Sequence, residues 1–186
     1  MVTIAALWLP ILVATLLVFV ASSVIWMALP YHKSDTRQLP DEGAALEPLV
    51  KQDLAPGLYR FPWAGDMKEM KEPAFVEKQN RGPVGLLTVM PKGPYPMGKT
   101  LALWTLYALA IGVLVAYITG RTVAPDAHYL QVFRVAGTVA FLAYAGGHLP
   151  DAIWWGKPWS NAWKDVLDGL LYALLTAGAF GWLWPR

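Results

Sequence analysis

Residues 4–29 read IAALWLPILVATLLVFVASSVIWMAL, and none of them is charged. A bilayer's hydrocarbon core is about 30 Å thick, so a helix needs about 20 apolar residues to cross it. This stretch is long enough. Its only strongly polar interruption is Ser22-Ser23, and Pro10 lies near its start, where a helix tolerates proline better than in mid-span. No basic residue precedes it, and its apolar run exceeds the roughly 7–15 residues of a signal-peptide core. It reads as an uncleaved membrane anchor.

Three further segments have the same character: 100–120, 129–147 and 166–184. The third span of the four carries Gln131 and Arg134, and the fourth has Asp165 and Asp168 at its mouth. Four crossings place both termini and the turn 121–128 on one side. The long segment 31–99 and the loop 148–164 fall on the other. Across all 186 residues 56% are hydrophobic and only 15% charged, against roughly 25% charged in soluble proteins. Most of the charges lie between Tyr31 and Lys99. The expected fold is an all-α membrane protein: a four-transmembrane-helix bundle with a small, irregular α/β extramembrane cap between helices 1 and 2. Its regions are 1–30, 31–99 and 100–186.

Composition also excludes classes. The net charge of +2 and the absence of a basic stripe argue against nucleic-acid binding. With no cysteine, disulfides, Cys-ligated zinc, iron–sulfur clusters and thiol nucleophiles are ruled out.

In lipid, helices associate where small residues let backbones approach. Ala108, Gly112, Ala116 and Gly120 recur every fourth position in the second span, and Ala173, Ala177 and Gly181 do so in the fourth. Residues four apart share a helix face. Such stripes either pack helices within the chain, facing each other, or dock other membrane subunits. Leu114, Ile118, Leu171 and Leu175 occupy other faces, toward lipid.

Within 31–99, Asp41 is placed to cap a short helix to about Lys51, with Glu42 adding favourable charge. Ala55-Pro56-Gly57 turns the chain. Residues 58–61 can be extended, and 82–91 should pair as a strand or lie at the interface. Residues 66–80 have helical spacing that Pro73 interrupts. The glycines of 82–85 lack the Walker and dinucleotide-fold contexts.

Residues 146–163 read GGHLPDAIWWGKPWSNAW. Trp154, Trp155, Trp159 and Trp163 are expected as interface anchors, since tryptophan prefers the headgroup level. Nine of the ten tryptophans, all but Trp63, fall near span ends. Gly156-Lys157-Pro158 breaks any helix there. His32 and His148 sit just beyond spans on the same side, so a tetrapyrrole, haem or chlorophyll-type, could use them as ligands. The competing reading of His148 is a hydrogen bond to headgroups or Asp151. Arg134 can snorkel to the nearer interface, and Asp168 lies toward the opposite one. Asp35, Asp41, Glu42 and Asp53 lack the spacing of a calcium loop. Ser22-Ser23 has no nearby base, and no G-x-S-x-G is present.

The stretches LPYHKSD (29–35), RGPVGLLTVMPKGP (81–94), TGRTVAP (119–125) and DGLLYALLTAGAFGWLWP (168–185) together resemble a family of small, uncharacterised bacterial inner-membrane proteins. The similarity runs over almost the whole chain. It implies a bacterial inner (cytoplasmic) membrane location and a four-span layout. It implies no activity and no site residues. The expected role is an accessory or packing subunit of a larger membrane complex, with membrane lipids and other subunits as partners. The alternatives are tetrapyrrole binding and a small membrane enzyme or lipid-binding protein.

Overall fold

A computed structural model describes residues 1–185. The chain forms two compact units: 1–36 together with the chain from Pro96 onward, and 37–95.

The first unit is helical. A 3₁₀ turn, Ala5–Leu7, leads into α1 (Trp8–Ser23), which a π-type turn extends through Val24–Ala28. Leu29 is extended, as a residue before proline prefers, and Pro30 opens a second 3₁₀ turn, Pro30–Ser34. After the second unit, which contains α2 (Glu42–Lys51) and α3 (Pro73–Arg81), come α4 (Met97–Thr122), α5 (Tyr129–Ala145), α6 (His148–Trp155) and α7 (Trp159–Trp182). The His128 side chain caps α5 by accepting from the Leu130 N–H at 3.3 Å. Gly156, in the left-handed region at φ 71°, closes α6.

Three helices are long and apolar enough to cross a membrane: Ala5–Ala28, Met97–Thr122 and the nearly continuous Tyr129–Trp155. Residues 148–155 are thus helical, where the sequence suggested a loop. The reason is local: two glycines precede them, but only Gly156 adopts a helix-ending conformation. The segment expected as a fourth span falls largely in α7, which is not one of these three. Its 24 residues would extend roughly 36 Å. It begins earlier than expected, at Trp159, so Lys164, Asp165 and Asp168 belong to its first turns. Those charges distinguish it from the three apolar helices.

The four long helices form a ring. α1 contacts α4 and α7, and α5 contacts the same two, most extensively α7. The small-residue stripes do not face each other. Gly112 lies against Ile11, where a Cβ would stand 3.2 Å from the Ile11 Cγ2. At Gly120 a Cβ would stand 2.5 Å from the Val2 carbonyl oxygen, and the Val2 N–H donates to the Gly120 carbonyl at 2.8 Å. Ala108 and Ala116 are buried on the same side. On α7, Ala177 meets Gly137 of α5, while Gly181 accommodates the Tyr129 ring. Ala173 is buried with them. The α4 stripe therefore receives bulkier residues of α1 and the chain's start, the α7 stripe meets both a glycine and a tyrosine of α5, and both are occupied within the chain. Leu114, Ile118 and Leu171 are exposed, as lipid-facing positions would be, whereas Leu175 is half-buried.

The second unit holds α2 (Glu42–Lys51), β1 (Gly57–Phe61), α3 (Pro73–Arg81) and β2 (Gly85–Val89). Asp41 caps α2 by accepting from the Ala44 N–H at 2.9 Å. The strands pair antiparallel from Gly57↔Val89 to Phe61↔Gly85. Pro73 interrupts the helical spacing as expected: a 3₁₀ turn, Glu69–Lys71, ends at the extended Glu72, and Pro73 opens α3 in its first turn, where its missing N–H costs nothing. Phe75 is the only buried side chain of this unit among the described residues.

Candidate functional site

The first turns of α7 and the turn after α1 meet in a polar cluster. His32 is its centre. Its Nδ1 lies 2.5 Å from Asp35 Oδ2, and its Nε2 lies 2.8 Å from Asp168 Oδ2. Pro30 makes this possible: it starts a tight turn that holds His32 and Asp35 three residues apart on one side. α7 presents Asp168 from across the interface.

Carboxylates only accept hydrogen bonds, and a neutral imidazole has one donor. Both contacts of His32 therefore need two protons: an imidazolium, or a neutral ring beside one protonated carboxyl. The Trp26 ring stacks on His32 at 3.8 Å and 6°. Tyr31 meets the imidazole edge-on at 4.7 Å.

Lys164 ties the same turn to α7. Its ammonium donates to the Tyr31 carbonyl at 2.9 Å, to Ser34 Oγ at 2.8 Å and to Asp35 Oδ1 at 2.5 Å. These three bonds use all three of its donors. Asn161 Nδ2 adds a bond to the Asp35 carbonyl at 2.9 Å. Burial pushes the Asp35 carboxyl up, but hydrogen bonds from Lys164 and His32 outweigh it and hold Asp35 below its ordinary value. Burial, with Asp168 nearby, raises the Tyr31 phenol.

A second pair flanks the first. Lys157 bonds to Asp165, and His148 Nδ1 stands 3.6 Å from the same carboxylate. Toward the bundle interior the cluster ends in aromatic rings. Tyr172 packs edge-on to Trp104 at 6.0 Å and to Tyr144 at 5.6 Å. Trp104 donates its indole N–H to Ser22 Oγ at 2.8 Å.

The two histidines expected to ligate a tetrapyrrole each face carboxylates. Both nitrogens of His32 are engaged by carboxylates, so neither is available to iron or magnesium. His148 faces Asp165, rather than Asp151. Among the described residues, no three His, Cys, Asp or Glu side chains gather as a metal site. Asp41 caps α2, and Asp53 pairs with Lys92 on the surface at 2.9 Å. Ser22 and Ser23 donate to the Phe19 carbonyl. Trp154, Trp155, Trp159 and Trp163 are exposed, as interface anchors would be, but Trp184 is buried and donates to the Ala124 carbonyl at 2.8 Å.

Sequence reasoning noted His32 and Asp168 separately and missed their pairing with Asp35, Lys164 and Asn161. One local signal existed: three charged residues, Lys164, Asp165 and Asp168, lie at the start of an otherwise apolar stretch, where a buried charge is costly unless paired. No family model, curated protein or solved structure matches the chain.

Proposed function

We propose that this chain is a four-span protein of the bacterial inner membrane, related to the uncharacterised family it resembles, and that it serves as a non-enzymatic accessory subunit of a larger membrane assembly. In this reading α7 is the fourth span, and its charged first turns enter the interface already neutralised by the turn after α1.

The carrying observation is the saturation of the polar cluster. Ser34 and Lys164 lie 2.8 Å apart, the spacing of a serine–lysine catalytic pair. A lysine acting as base must be neutral and accept a proton. Lys164 instead donates to Asp35 and to two further oxygens. His32 likewise has no nitrogen left to serve as a base. In the group His32, Asp35, Asp168 and Lys164 every side-chain donor is engaged, so these four residues serve to join the turn after α1 to α7. A membrane protein whose central polar group is given to its own packing offers its surface to others.

Purification in mild detergent at native expression, followed by native gel electrophoresis, tests this role. A larger species containing reproducible companion membrane proteins is expected. Migration as a lone monomer, with no companion recovered after cross-linking in the membrane, would overturn it.

A further inference from the structure

We propose that the 61–70 edge of the extramembrane unit rests in the lipid headgroup layer of the membrane that its own chain enters. Phe61, Trp63, Met67 and Met70 are all exposed, Trp63 at 70% and Met67 at 68%. Met67 and Met70 lie three apart across a turn closed by a bond from the Met70 N–H to the Asp66 carbonyl at 3.3 Å, so they share a side. Lys68 and Lys71 flank them, and their long stems can follow apolar side chains inward while the ammonium groups stay in water.

The unit needs such a surface. It has a two-stranded sheet, two short helices and one buried side chain, Phe75. A two-stranded sheet is marginal in water without an apolar layer against it. The covalent attachments decide which layer is at hand. Arg37 directly follows the membrane unit, and Tyr95 precedes Pro96, the residue that leads into α4. Only short irregular stretches, 35–41 and 90–96, tether its two ends to the helical unit, so the bilayer surface is present at high effective concentration. Residues 37–95 carry eight basic and eight acidic side chains. Electrostatic attraction to anionic lipid is therefore not the driver. The driver is burial of Trp and Met side chains, the former a residue type that prefers this layer.

The chain has no cysteine, so single labels report cleanly. Trp63→Cys, Met67→Cys and Met70→Cys, with Lys92→Cys as the aqueous control, are spin-labelled in the full-length chain. Each is reconstituted into phosphatidylcholine vesicles holding no other protein. Power saturation then compares dissolved oxygen, which enters lipid, with a water-soluble nickel chelate. Labels at 63, 67 and 70 are expected to favour oxygen and the label at 92 the chelate, with no change on adding salt or phosphatidylglycerol. Equal chelate access at all four positions overturns the proposal. So does shielding from both reagents, which would mean that protein covers this edge. Shielding that appears only in native membranes would assign the edge to a partner protein, and likewise overturns it. Because the vesicles hold one protein, the result is independent of the accessory role, which the native gel decides.

Discussion

His32 and Asp168 stand 136 residues apart in the chain and 2.8 Å apart across the bundle end. The bond joins the turn after the first membrane helix to the first turns of α7, with side chains 5% and 8% exposed. Breaking a buried pair from one side leaves an uncompensated charge, at about 3–5 kcal/mol. Asp168→Ala and His32→Ala should each destabilise the chain by that order, read from unfolding in detergent by increasing SDS. The double variant should cost clearly less than the sum, since the two act on one interaction. Additive losses would show that the residues act separately.

The glycine contacts make a sharper steric prediction. A Cβ at Gly120 would meet the Val2 backbone, which cannot rotate aside. Gly120→Ala should destabilise by about 1–3 kcal/mol, the usual cost of overpacking. Gly98, also in a helix, has nothing within 4 Å of its Cβ position. Gly98→Ala should be neutral or slightly stabilising. The same SDS titration compares them, and equal responses would reject the packing of the chain's start against α4.

The contrast between stripes and cluster shows what the sequence could convey. The spans at 4–29 and 100–120 are legible because hydropathy over one helix length is a local property. The spacing of Gly112 and Gly120 marks a close approach for the same reason. Which helix approaches is a matter of ring order, which no single segment encodes: the stripes face α1 and α5, not one another. The His32–Asp168 bond is harder still: the i,i+3 spacing of His32 and Asp35 announces a local contact, but nothing in either segment names the partner 136 residues away. The early start of α7 was hidden by Gly156-Lys157-Pro158, which ends one helix and positions the next within three residues.

The occupancy of His32 bears on cofactor chemistry. An imidazole with both nitrogens held by carboxylates cannot coordinate a metal without breaking a buried pair. The chain purified from cells supplied with haem precursors should show no Soret band. A band that appears, and is lost in His32→Ala or His148→Ala, would restore the tetrapyrrole reading and remove the saturation argument with it.

Acid should loosen the link between the turn and α7 in a defined window. Asp35 is held below its ordinary carboxyl value of 3.8 by Lys164 and His32. A group with a depressed folded-state pKa contributes stability above its unfolded value and loses it as pH falls through the folded value. The contribution of Asp35 should therefore be complete at neutral pH, persist through pH 5, and fade only below the ordinary carboxyl range. Asp35→Asn keeps the shape and removes the charge. Thermal unfolding in detergent should show a gap between wild type and Asp35→Asn that is constant from pH 7 to pH 5 and narrows as pH drops below about 4. A gap that instead widens on acidification would mean that the carboxylate opposes the folded state, and the ion pair with Lys164 would have to be discarded as a source of stability.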